Sequence, residues 1–212
     1  MKHFSPLAIV MLFAIPLIVL TGLVWTGTTD NFDHVWRQVA LGFDPRKLLN
    51  FWKGATFLGS VLVITSLTLA VILALALLKQ WRGSGYIASV MLIAVVLENA
   101  MKWSVQRARP NEVIAYAMPT SFSFPSGHTL FATAFYGSVA VLIFPFLTGW
   151  ARAAVWVAVA ILVLTIGASR IFLGVHYPTD VLAGFLAGAL CIAVVQLIKG
   201  WIAPRFVDTL PL

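Results

Sequence analysis

The sequence has a single cysteine and very little charge. Among its 212 residues only 10% are charged and only 7 are Asp or Glu, whereas roughly a quarter of an ordinary soluble domain is charged. That scarcity excludes the usual soluble surface. Cys191 lies within an apolar run, so neither an intramolecular disulfide nor a cysteine-rich metal cluster can form, and compartment cannot be read from cysteine. An internal repeat is also absent. The formal charge of +7 comes from 14 Lys and Arg scattered over short segments, and without a basic stripe nucleic acid is not expected as a partner.

Hydrophobic residues make up 61% of the chain. They form six runs, Leu7 to Trp25, Ala55 to Leu78, Tyr86 to Trp103, Thr129 to Leu147, Ala153 to Ala168 and Thr179 to Ile198, each near the roughly 20 residues that cross a bilayer. The expected fold is all-α: a polytopic bundle of six transmembrane helices, with residues 1–212 forming one domain. Lys2 and His3 precede the first run, as in a secretory signal. The run is longer than the roughly 7–15-residue core of such a signal and no small-x-small site closes it, so it is read as a retained helix. The short fifth run suits a tilted or partly buried helix. Asp44-Pro45, Gly83-Ser84-Gly85, Arg109-Pro110 and Pro119 through Gly127 are read as breakers between runs. Thr26 to Gly54, with Phe32, Trp36, Phe43, Phe51 and Trp52, is expected to form short interfacial helices between spans one and two.

Charge inside such a chain is costly and marks function. It gathers in three segments: Lys102 with Arg109-Pro110, Pro125-Ser126-Gly127-His128, and Ser169-Arg170 followed by His176 and Asp180. Serine and glycine at a helix start direct backbone N–H groups and the positive end of the dipole at an anion. Asp180, four residues beyond His176, can fix that imidazole's tautomer and leave its other nitrogen free to attack. Lys102, Arg109 and Arg170 supply the preorganised cations that stabilise a transferring phosphoryl group. Glu98, one turn before Lys102, is expected to pair with it. Arg107 is expected to snorkel to lipid headgroups. His3 and His34 read as solvated or interfacial. Metal ligation would fall to His128, His176, Asp180 and Glu112, among cations that repel a divalent ion, so neither metal nor cofactor is expected. These residues leave open which histidine attacks.

With an even number of spans, the three segments share one side of the membrane. Basic residues sort six against eight between the two sides, and six against five once Lys102, Arg109 and Arg170 are set aside. That margin of one puts the termini in the cytoplasm.

In the spacing of its three motifs the chain resembles the type 2 phosphatidic acid phosphatase superfamily, which also contains vanadium haloperoxidases. The likeness in layout extends over nearly the whole sequence. The resemblance implies that His176 attacks phosphorus to give a phosphohistidine, Asp180 supports it and His128 protonates the leaving oxygen. It implies that Lys102, Arg109, Ser126, Gly127 and Arg170 hold the phosphoryl oxygens, at the outer face of the membrane. The expected activity is metal-independent hydrolysis of a lipid mono- or diphosphate, with undecaprenyl diphosphate and phosphatidylglycerophosphate as the leading substrates, in a bacterial inner membrane with the site facing the periplasm. No obligate protein partner is inferred. The competing reading is a non-catalytic lipid-phosphate binding or transport protein; a haloperoxidase is disfavoured because known members of that type are soluble.

Overall fold

The computed structural model describes residues 5–43, 45–111 and 120–198. His3 and Glu112, together with Lys2, Asp44, Pro119, Lys199 and Arg205, lie outside the described residues.

The described residues form helices α1 (Pro6–Trp25), α2 (Asp30–Gly42), α3 (Leu49–Leu58), α4 (Val61–Leu77), α5 (Trp81–Val105), α6 (Gly127–Ile143), α7 (Trp150–Phe172) and α8 (Pro178–Ile198), with 3-10 turns at Pro45–Leu48 and Phe144–Phe146. Among the described residues, six segments are long and apolar enough to span a membrane. The protein is an integral membrane protein of all-α architecture.

Three boundaries differ from those expected. The fifth span is 23 residues long, because helix α7 starts at Trp150 and continues through Ser169-Arg170 to Phe172. Gly83-Ser84-Gly85 does not interrupt a helix but lies in the first turns of α5; the turn comes earlier, at Lys79, with φ of 57°. The second span begins at Leu49 and is broken in the middle, where Gly59 ends α3 and the Ser60 side chain caps α4 by accepting from Val63 N at 3.3 Å.

Helices α6 and α8 form the centre, and α1, α5 and α7 pack around them. Their seam is lined by small residues. A Cβ on Gly184 would lie 2.8 Å from Ser126 O, and one on Gly188 2.7 Å from Leu130 O, so backbone meets backbone. Lipid tails are as apolar as leucine, so such close van der Waals approach is what drives helices together in a bilayer. Outward faces of α1 and α4 expose Leu12, Ile15, Ile18, Leu62, Leu69 and Leu73, as a lipid-facing surface should.

Helix α2 reverses the pattern of a soluble amphipathic helix. Asp33, Arg37 and Ala40 are buried, while Phe32, Val35, Trp36, Val39 and Phe43 are exposed. The 3–4-residue spacing gives it one face toward protein and one toward lipid. Helix α3 then packs against α7, with Trp52 stacked on Phe172 at 4.4 Å between ring centroids.

Candidate active site

The C-terminal ends of α5 and α7 meet the N-terminal ends of α6 and α8 at one end of the bundle, with α2 and α3 alongside. All eight phosphate-handling positions read from the sequence fall in this region.

Ser126 is the N-cap of α6, but its backbone N–H is committed to Asp180 O at 3.0 Å. The anion-facing donors of this turn therefore begin at Gly127, since N–H groups in a first helical turn have no carbonyl within the helix. Gly127 also makes room: a Cβ there would stand 2.7 Å from Glu98 Oε1.

Asp180 is fully buried, and every donor around it fixes its rotation. Its Oδ1 accepts from Arg107 Nη1 at 2.9 Å. Its Oδ2 accepts from Ser123 Oγ at 2.5 Å, Tyr177 N at 2.9 Å and His176 Nδ1 at 3.3 Å. On the other edge of the imidazole, Arg109 Nη1 lies 3.1 Å from His176 Nε2. A guanidinium can only donate, so Nε2 carries the lone pair and the proton resides on Nδ1, toward Asp180. Burial pushes His176 down to about 4; Asp180 opposes that shift, and Arg170 and Arg109 add to it. The imidazole is neutral at neutral pH, with its available nitrogen facing cations.

His128 lies in the first turn of α6, where Arg170, Arg109 and Lys102 are its cationic neighbours and the His176 imidazole is also close enough to act on it. Both imidazoles thus lie at the same end of the bundle. Lys102 is buried; its Nζ is 3.3 Å from Glu98 Oε1 and donates to Phe122 O at 3.0 Å and Ser121 Oγ at 3.3 Å. Arg109 is held by Ser121 O, Phe122 O and Val175 O at 2.7, 3.2 and 2.8 Å, and burial lowers its pKa. Arg170 is buried, with Nη1 donating to Thr56 Oγ1 of α3 at 2.5 Å.

Arg107 does not snorkel. Its guanidinium bridges Asp180, Thr179 Oγ1 at 2.8 Å and Asp33 Oδ2 at 2.7 Å, with Asp30 at 3.3 Å. Burial alone would lower its pKa, yet Asp180 and Asp33 hold it raised. Two buried carboxylates without a cation would be far costlier than one arginine kept from the headgroups. Sequence reasoning also missed Asp33, Thr56, Ser123 and Thr179. For Asp33 a signal existed: its neighbours at 32, 35, 36 and 39 are apolar at helical spacing, which sets the acid on the opposite face. Exposed His34 packs edge-on to Tyr177, with 6.1 Å between ring centroids.

The family model of the PAP2 superfamily matches residues 83–203. Among curated proteins, the chain is similar to phosphatidylglycerophosphatase B of Bacillus subtilis, at 28% identity over 91% of this chain and 94% of that protein. It is also similar to an undecaprenyl-diphosphatase of Sulfolobus acidocaldarius, at 29% identity over 70% of this chain and 75% of the other. Among solved structures, a transmembrane PAP2-type phosphatidylglycerolphosphate phosphatase from Bacillus subtilis superposes with a TM-score of 0.79 at 25% identity, covering 94% of this chain and 98% of that one.

Proposed function

This chain belongs to the PAP2 superfamily, and we propose that it hydrolyses a lipid mono- or diphosphate through a phosphohistidine on His176. The observation that carries this reading is the orientation of one imidazole between Asp180 at Nδ1 and Arg109 at Nε2. A neutral nucleophile, a fixed tautomer and a cation at the attacking atom are what an in-line attack on an anionic phosphorus requires.

The incoming phosphoryl oxygens draw Arg109 off Nε2 and settle among Lys102, Arg109, Arg170 and the first-turn N–H groups of α6. The Nε2 lone pair forms the N–P bond as the P–O bond to the lipid breaks. His128 delivers a proton to the departing oxygen. Water then attacks phosphorus, giving its proton to His128, and orthophosphate leaves with His176 restored. The cations surrounding both histidines support a metal-independent reaction.

Undecaprenyl diphosphate and phosphatidylglycerophosphate are the proposed substrates, because the relatives' names point to these two lipids and the site sits at one end of an apolar helix bundle. We place the chain, as one domain, in a bacterial inner membrane with the site toward the periplasm. Phosphate release from both lipids by purified parent and His176→Ala proteins tests the reading. The parent should turn over at least one lipid and the variant should lose at least about a thousandfold. Equal rates would leave only a phosphate-binding protein.

A further inference from the structure

Asp33 is fully buried on the inward face of α2, far in sequence from every motif residue. Its two oxygens are both engaged at the start of α8: Oδ1 accepts from Thr179 N at 2.9 Å, and Oδ2 accepts from Thr179 Oγ1 at 2.5 Å and Arg107 Nη2 at 2.7 Å. Arg107 Nη1 continues to Asp180 Oδ1 at 2.9 Å, and Asp180 Oδ2 faces His176. A planar fork therefore joins two buried carboxylates, one on an interfacial helix and one beside the imidazole.

Asp30 is a weaker partner. It stands at 3.3 Å from Arg107 with 61% of its side chain exposed, so solvent screens it. Thr179, the residue next to Asp180, binds both members of the Asp33–Arg107 pair, so the fork and the start of α8 hold one another in place.

We propose that Asp33 is a positioning residue for the reaction: acting through Arg107, it sets the rotation of the Asp180 carboxylate and hence of the His176 imidazole, which makes α2 a working part of the active site. Without the Asp33 charge, Arg107 is free to turn wholly onto Asp180 or out toward Asp30 and solvent. Either movement changes how Oδ2 is presented to Nδ1. Substrate contacts made by Lys102, Arg109 and Arg170 do not pass through this fork, so binding should be spared while turnover suffers.

The inference rests on the phosphatase reading, and the experiment separates the two. Full-length parent, Asp33→Asn, Arg107→Gln and the double variant are assayed on dioctanoyl phosphatidic acid in detergent, with thermal unfolding followed alongside. Asp33→Asn should lower kcat about tenfold with KM within about twofold, as substitutions behind a functional group commonly do. Arg107→Gln should lower kcat at least as much, and the double variant should match Arg107→Gln alone, because Asp33 acts through Arg107. Asp33→Glu, which keeps the charge, should recover part of the loss and supplies the readout if the asparagine variant does not fold. An unchanged kcat in Asp33→Asn, losses that multiply in the double variant, or a lowered unfolding temperature with kcat per folded molecule intact would overturn the proposal. A parent protein inactive on this substrate and on both lipids above would instead overturn the phosphatase reading, and this inference with it.

Discussion

Ser123 Oγ donates to Asp180 Oδ2 across 2.5 Å, while the His176 nitrogen that shares this oxygen stands at 3.3 Å. The shorter bond anchors the carboxylate and the longer one exploits it. The same hydroxyl oxygen lies 3.4 Å from His176 Nδ1, so the Nδ1–H proton has two acceptors at nearly equal range. Ser123→Ala should therefore lower kcat about tenfold with little change in KM. Steady-state kinetics on a short-chain lipid phosphate would check this, and an equal rise in KM would show that Ser123 holds substrate instead.

Protonation of His176 should govern the acid side of the pH profile. Its folded-state pKa is pushed down to about 4, against about 6.5 when unfolded. The unprotonated His176 that the free enzyme requires should be lost as pH drops through about 4, which sets the acid limb of kcat/KM. Folding stability has a wider window. Between those two values the unfolded chain binds a proton that the folded chain refuses, so stability should already decline as pH falls from about 6.5 toward 4. Unfolding followed at fixed detergent concentration, in parent and His176→Gln proteins, would isolate this contribution.

Glu98→Gln should leave Lys102 without its carboxylate partner at 3.3 Å. The ammonium then keeps only neutral acceptors, Phe122 O, Ser121 Oγ and the glutamine amide oxygen, and its aim toward the phosphoryl oxygens loosens. KM should rise severalfold, on the order of the 1–2 kcal/mol of a partly buried charged hydrogen bond. Competition by orthophosphate provides a second measurement, and unchanged affinity in both would remove Glu98 from the site.

The three motif segments were legible because charge stands out in oil: Lys102, Arg109, His128, Arg170, His176 and Asp180 have no cheap explanation in an apolar chain. Their convergence followed from counting spans. Arg107 was misread for the same reason that makes the method work elsewhere, since a basic residue near a span end usually reaches for headgroups, and only its partner Asp33 distinguishes it. That partner sits 74 positions away, in a segment whose aromatic residues read as interfacial helices. Ser123 and Thr56 were hidden because a hydroxyl satisfies so many local roles that its type carries almost no information. The broken second span escaped because Gly59-Ser60 is a mild interruption of an apolar run, whereas Gly83-Ser84-Gly85 looked severe and was absorbed at a helix start.

Turnover should persist in EDTA. If the cations Lys102, Arg109 and Arg170 carry the phosphoryl charge, chelation should change kcat by less than about twofold. Loss of activity that zinc or magnesium restores would assign that work to a metal.

Gly188→Val should destabilise the bundle. The added Cβ would meet Leu130 O at 2.7 Å and Ala134 N at 3.1 Å, both backbone atoms that cannot step aside. Overpacking of this kind costs about 1–3 kcal/mol. Thermal unfolding in detergent should register that loss, and a variant as stable as the parent would mean the two helices are not so closely apposed.

That bare contact also acts as a ruler. His128 rides on α6 and His176 on the turn that opens α8, so the gap between the imidazoles is inherited from two ribbons that touch at Gly184 and Gly188. Changes of lipid preference can accumulate on the exposed apolar faces of α1 and α4 without altering that span, whereas thickening the seam by a single methyl group would move one reacting group away from the other.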